Sequence, residues 1–232
     1  MRMKFNLFII IFLVSGCFYF IACSNNETEN VKTNTTNSLS FQFQDGDLVF
    51  QDLDCGELCD AIEKVTTGFN GKKFSHLGLV SYINDTAYII EAIGKDVHLT
   101  PLELFINRSK DEKANPKISI GRLKPEFINL IPAALKFALS KLGVQYDDEF
   151  IYGNQKYYCS ELIYDAYKYA NNGKPFFQLE PMTFKDPDSG EIFPAWKKYY
   201  QDLKTEIPES QPGCNPGSIS RSDKLSIVKS ME

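Results

Sequence analysis

Two strand-like runs, Ser75-His76-Leu77-Gly78-Leu79-Val80-Ser81-Tyr82-Ile83 and Thr86-Ala87-Tyr88-Ile89-Ile90-Glu91-Ala92-Ile93, meet at Asn84-Asp85, a favourable two-residue hairpin turn. This feature commits the chain to an antiparallel sheet and sets a register. With Asn84 and Asp85 as the loop, Ile83 pairs with Thr86, His76 faces Ile93 and Glu91 faces Gly78. Side chains alternate along a strand, so His76 and Glu91 share one face as diagonal neighbours, with Cα atoms roughly 7–8 Å apart. An imidazole and a carboxylate can meet across that gap, and Gly78 leaves the space beside Glu91 empty. A three-residue loop would flip the parity and separate them. Each residue also has a plain structural reading, His76 bonded to strand backbone and Glu91 as a solvated strand carboxylate. For Glu91 that reading sits poorly with its apolar neighbours, because an unpaired buried carboxylate is costly.

A thiol nucleophile is what such a pair would serve, and the chain offers one far downstream. In Tyr157-Tyr158-Cys159-Ser160-Glu161-Leu162-Ile163-Tyr164-Asp165-Ala166-Tyr167, the apolar Leu162, Ile163, Ala166 and Tyr167 recur at helical spacing. That periodicity puts Cys159 at or just before a helix start. Helix N-termini carry unpaired N–H groups and partial positive charge, which favour a thiolate and could hold the oxyanion of a tetrahedral intermediate. His76 would take the thiol proton and deliver it to a leaving group, while Glu91 would fix the imidazole tautomer and stabilise its charged form. Three alternatives stand beside this reading. Cys159 could pack as a small buried hydrophobe. A Cys159–Cys214 disulfide would remove the nucleophile. His98, in Val97-His98-Leu99, is the rival base, although no carboxylate lies at a spacing that would partner it.

The ends of the chain suggest export. Arg2 and Lys4 precede an apolar core over Leu7–Val14 and Phe18–Ile21, so residues 1–22 read as a signal segment. Phe20-Ile21-Ala22-Cys23 followed by Ser24-Asn25-Asn26 resembles a bacterial lipobox, which makes Cys23 the expected lipidated residue. Val14-Ser15-Gly16-Cys17 is an alternative, but the apolar Phe18–Ile21 behind it would make a poor solvated tether. Residues 23–40 are rich in Asn and Thr and read as a spacer from the bilayer. The folded domain is expected over residues 41–203, with 204–232 a turn-rich tail of unassigned role.

If Cys17 leaves with the signal and Cys23 is lipidated, four cysteines remain: Cys55, Cys59, Cys159 and Cys214. With Cys159 kept as a thiol, at most one bridge forms among the other three. Cys55-Gly56-Glu57-Leu58-Cys59 lacks a neighbouring second ligand pair, so no zinc site is indicated, nor any other metal or cofactor. Removing residues 1–22 takes the net charge from −5 to −7, and no basic run appears, which argues against nucleic acid as a partner.

Further elements fill in an α+β pattern. Gly46-Asp47-Leu48-Val49-Phe50 and Lys117–Leu123 read as short strands and Glu57–Val65 as a helix. Thr100-Pro101-Leu102-Glu103 reads as a helix start with Thr100 as N-cap. A long helix is expected from Pro125 to about Leu142, with a kink at Pro132 and a stop at Gly143.

Leu142-Gly143-Val144-Gln145-Tyr146-Asp147 followed by Tyr158-Cys159-Ser160-Glu161-Leu162 resembles the nucleophile segment of the NlpC superfamily of papain-like cell-wall peptidases, with Tyr158 in place of Asp and Glu161 in place of Gly. There the histidine strand follows the nucleophile. Here Gly46-Asp47, Ser75-His76-Leu77-Gly78 and Glu91-Ala92 all come first, which is similar to the circularly permuted papain-like amidases of the YiiX and YaeF type. The resemblance spans about Phe41 to Tyr169. It implies a papain-like α+β fold, a small antiparallel sheet or barrel packed on helices, with Cys159 as nucleophile, His76 as base and Glu91 as third member. Tyr146 is expected to line the pocket or aid the oxyanion hole, or else to be a core aromatic, and Asp47 to be structural. The expected protein is a lipid-anchored thiol hydrolase of the cell envelope that cleaves an amide bond in peptidoglycan, another peptide or an N-acyl lipid. A lipid acyltransferase or a catalytically silent ligand-binding lipoprotein are the alternatives.

Overall fold

The computed structural model describes residues 41–231; the expected signal segment, Cys23 and the tether lie outside them. Strand β1 (Leu48–Gln51) leads to helix α1 (Glu57–Val65), then β2 (His76–Ile83), β3 (Thr86–Ile93) and β4 (Asp96–Pro101). Helix α2 (Leu102–Asn107) and strand β5 (Ile118–Leu123) follow. The second half holds α3 (Ile131–Leu139), α4 (Cys159–Ala170), the two-residue β6 (Glu180–Pro181), α5 (Pro194–Leu203), β7 (Pro212–Gly213), α6 (Pro216–Ser220) and β8 (Leu225–Met231).

Six strands form one antiparallel sheet in the order β4-β3-β2-β1-β5-β8. The sheet is open rather than closed into a barrel. The hairpin has the register expected from its loop, running from Ile83 opposite Thr86 to Leu79 opposite Ile90. Asn84 and Asp85 both take positive φ, 49° and 60°, as a two-residue turn of the twisted-hairpin type requires. Gly78 is needed where it stands, since a Cβ there would lie 2.2 Å from Ile89 Cγ2 and 3.3 Å from Glu91 Cβ.

Alternation along the strands splits the buried residues between the two faces. Leu48, Phe50, Leu77, Leu79, Ile90 and Ala92 pack with Leu162, Ile163, Ala166 and Tyr167 of α4 and with Ala134 and Ala138 of α3. Val49, Val80 and Ile89 point the other way, onto Phe105 and Ile106 of α2. By the same parity Gln51, His76 and Glu91 lie on the α2 side, all three buried. Asp47 has the structural role expected of it. Buried ahead of β1, it takes Arg122 Nε at 2.7 Å and Nη2 at 2.8 Å and the Gln44 N–H at 2.9 Å.

Three expectations need correction. The stretch from residue 204 onward is part of the fold rather than a tail. Strand β8 pairs along β5 from Leu225 opposite Leu123 to Met231 opposite Ile118, with a bulge near Gly121. Its pattern of Leu225 and Met231 buried and the residues between mostly exposed is that of an edge strand, which carries a weak alternation signal. The turn-rich run before it is anchored on α4: Ser160 Oγ donates to the Cys214 carbonyl at 2.8 Å and the Cys214 N–H donates to Tyr158 Oη at 3.2 Å. Pro132 does not kink a long helix. Residues 125–130 form a 3-10 turn and Pro132 sits in the first turn of α3, where its missing N–H has no helical acceptor to satisfy. The helix ends at Leu139, and the Gly143 N–H donates to the Val97 carbonyl at 2.8 Å instead. Thr100 lies in β4 and does not cap α2, whose N-cap is Pro101 without a side-chain bond.

Candidate active site

Cys159 is the first residue of α4, capped by Tyr158 in extended conformation. At that position its N–H has no acceptor within the helix. The thiol is free and buried, and so is that of Cys214. Cys55 and Cys59 form the one disulfide among the described residues.

His76 is the first residue of β2, so its ring sits at a strand end, close enough to the start of α4 for Cys159 to act on it. Its Nε2 donates to Glu91 Oε2 at 2.6 Å. That leaves Nδ1 as the nitrogen available to the Cys159 sulfur. Burial disfavours the charged ring, but hydrogen bonding and charge from Cys159, and then from Glu91, outweigh it and raise the His76 pKa to about 8. Glu91 has no solvent exposure, which on its own would push its pKa up. His76 and Arg108 reverse the direction and hold it at about 2, so the carboxylate stays ionised.

Two further residues support Glu91: Arg108, which the sequence did not single out, and Thr100, which it assigned to a helix cap. Arg108, just after α2, donates from Nη1 to Oε1 at 2.9 Å and from Nη2 to Oε2 at 2.7 Å. Its Nε bonds Gln51 Oε1 at 2.7 Å and its guanidinium lies 4.3 Å from the Phe105 ring centre. Thr100 Oγ1 donates to Glu91 Oε1 at 2.5 Å. Each carboxylate oxygen thus has two donors, which is how a buried charge is tolerated. The only signal available for Thr100 was its parity with Glu91 across β3 and β4, where it stands opposite Ile89.

His98 stands directly opposite Glu91 in the β3–β4 ladder but does not join this network. Contrary to the expectation that no carboxylate would partner it, its half-exposed ring contacts Asp96 Oδ1, two residues away, at 3.1 Å. Tyr146 lies beside Cys159, where burial, and then the charge of Cys159, push its hydroxyl pKa well up and keep it protonated. Glu161, which replaces a small residue in the resemblance, is buried behind the nucleophile. Its Oε1 accepts the Gly153 N–H at 2.8 Å, and its Oε2 is a buried oxygen with no partner. Burial raises its pKa to about 8.

A cavity of about 150 Å³ opens against Cys159. Its walls include Tyr146, Phe150, Met182, Phe184, Trp196 and Cys214. Much of this wall comes from segments after residue 175, and nothing in the periodicity of those segments announced it.

An antiparallel sheet with a helix-borne cysteine against a strand-borne histidine, the histidine coming first in the chain, defines the permuted papain-like class. The sequence pattern of the permuted papain-like amidase family, YaeF/YiiX, C92, matches residues 42–229, and the chain belongs to that family. The uncharacterized protein YiiX of Escherichia coli K12 is 29% identical over 191 residues, spanning 82% of this chain and 88% of that protein. The crystal structure of metalloprotein yiiX from Escherichia coli O157:H7 shares the fold, with a TM-score of 0.66 at 23% identity over 82% of this chain and 98% of that one. Among the described residues of this chain, no group of three or more His, Cys, Asp or Glu side chains is gathered to hold a metal ion.

Proposed function

We propose that this chain is a thiol amidase in which Cys159, His76 and Glu91 work as one unit. The observation that carries the reading is the Glu91 carboxylate, kept ionised at 2.6 Å from His76 Nε2, with the Cys159 thiol at the helix start acting electrostatically on the same ring. A proton held on the imidazole leaves the sulfur as the nucleophile. The thiolate attacks the amide carbonyl, and the carbonyl oxygen takes up negative charge. The Cys159 N–H at the helix start is a donor for that oxyanion, and the protonated Tyr146 hydroxyl is a second. His76 then protonates the departing amine, leaving a thioester on Cys159. Water attacks the thioester with His76 as general base, which releases the acid and restores the imidazolium. Glu91 stays ionised throughout and stabilises the ring when it is charged.

The proposed setting is the cell envelope. Cys23 would carry the lipid and residues 24–40 would tether the domain, with substrates drawn from peptides, peptidoglycan or N-acyl lipids. The described residues contain no helix long and apolar enough to cross a membrane.

Iodoacetamide at neutral pH, with the modified residue mapped by mass spectrometry, tests the core of this reading. The expected result is stoichiometric labelling of Cys159, at least tenfold slower in His76→Ala. A Cys159 that labels no faster than an unfolded thiol would remove the hydrolase reading.

A further inference from the structure

The cavity beside the nucleophile is small and lined mainly by apolar side chains, with Thr66, Ser75, Thr183 and Asn215 also on its wall. Phe150, Met182, Phe184 and Trp196 form its walls, and Gly213 forms part of the lining where a Cβ would lie 2.3 Å from Met182 Sδ. Neither Lys, Arg nor His lines it, and its one carboxylate is Glu180. An anionic group entering here would meet Glu180 and no cation. A cavity of about this volume holds a guest of benzene size, and a long acyl chain would have to run out through its open mouth. The wall is also rigid: the Trp196 ring is held edge-on by Phe150 at 5.7 Å, Phe184 at 5.1 Å and Tyr199 at 5.5 Å. Trp196 Nε1 is buried and has no hydrogen-bond acceptor, so it faces the packed cluster around the ring rather than the cavity.

Resting on the assignment of Cys159 as nucleophile, we infer that the substrate places one uncharged, phenyl- or isobutyl-sized group in this cavity. The amide it cleaves flanks an aromatic or branched aliphatic residue. Among the substrates proposed above, this favours peptides with such a residue beside the scissile amide over carboxylate-bearing stem peptides and long-chain N-acyl lipids. Glu180 stands exposed at the rim, so its repulsion of an anion is screened by solvent, and the discrimination rests mainly on the four hydrophobic walls and the lack of any cation.

The test is a series of N-substituted iodoacetamides on the whole folded chain. In each, the Cys159 thiolate forms a C–S bond to the methylene carbon as iodide leaves, so the reacting centre is constant and only the substituent changes. Rates at Cys159 are divided by those of free cysteine. The N-benzyl compound is expected to react at least tenfold faster than N-methyl, with N-carboxymethyl and N-dodecyl no faster than N-methyl. Equal rates for benzyl and methyl, or the fastest rate for carboxymethyl or dodecyl, overturn the inference. A second readout does not depend on thiol chemistry. Trp196 is the chain's single tryptophan, and N-benzylacetamide, which cannot alkylate, should change its fluorescence saturably while N-acetylglycine does not. If plain iodoacetamide fails to label Cys159, the amidase reading falls while the fluorescence titration still decides the cavity. Absence of a saturable change with N-benzylacetamide overturns the inference on its own.

Discussion

Arg108 grips Glu91 at both ends, Nη1 to Oε1 at 2.9 Å and Nη2 to Oε2 at 2.7 Å, on a carboxylate that has no solvent exposure. A fork of this kind fixes orientation as well as charge. It turns Oε2 toward His76 Nε2, and so determines which way the imidazole faces Cys159.

Arg108→Lys keeps the charge and loses the fork. Because the lysine cannot hold both oxygens, the His76 ring should lose its fixed orientation. Amide turnover is expected to fall roughly ten- to a hundredfold with the fold retained, as judged by circular dichroism and steady-state rates on a chromogenic amide. Unchanged turnover would mean that Glu91 is oriented without Arg108.

The pH dependence of turnover follows from His76. The ring must carry its proton to serve the leaving group, and its pKa is raised to about 8. Activity should therefore fall on an alkaline limb centred near pH 8. Glu91→Gln removes a charge that raises the His76 pKa, so the limb should move to lower pH. The same shift bears on stability. His76 binds its proton more tightly folded than unfolded, so its contribution is fully present below about pH 6.5 and is lost as pH rises through about 8. Urea unfolding of the parent and of His76→Gln across that window checks this sign independently of catalysis, because only the parent carries this titration.

Glu161 contributes over a wider, overlapping window by a different route. Burial raises its pKa to about 8, so the folded state holds a neutral carboxyl where the unfolded chain holds an ionised one. Its stability contribution is fully present below about pH 4.5 and is lost as pH rises to about 8. Glu161→Gln keeps an oxygen for the Gly153 N–H and removes the titration. The variant should gain on the parent by up to roughly 1.4 kcal/mol per pH unit across that range. Parallel unfolding curves at pH 4.5 and pH 7.5 measure the gap, and a gap that does not change with pH contradicts the assignment.

Truncation after Leu203 removes β8, the buried Cys214 and Ile219, and the bonds that Cys214 makes to Tyr158 and Ser160 on either side of Cys159. It also exposes the β5 edge, a template for aggregation. The truncated chain is expected to be insoluble or to lose its cooperative thermal transition. A soluble, cooperatively folding 41–203 fragment would return that segment to the status of a tail.

The parts of this site that the sequence revealed are those set by local rules. A two-residue loop fixes hairpin parity, so His76 and Glu91 could be put on one face before any coordinates. A helical apolar stripe beginning at Leu162 put Cys159 at a helix start, and it is the first residue of α4. Arg108 and Thr100 escaped because their meeting with Glu91 depends on how α2 and β4 pack, which periodicity does not encode. Residues 225–231 escaped because an edge strand buries only its ends. Thr100 was misread because Thr-Pro before Leu-Glu satisfies a capping pattern, while its hydroxyl had a buried carboxylate to serve.

The central claim is that the Cys159 sulfur and the Glu91 carboxylate together hold a proton on His76. The chain has only two histidines, so imidazole NMR resonances are assignable by a single His98→Gln variant. The account predicts that His76 titrates near pH 8 in the parent and at clearly lower pH in Cys159→Ala. A His76 that titrates near 6.5 in the parent, indifferent to the residue at 159, would contradict it.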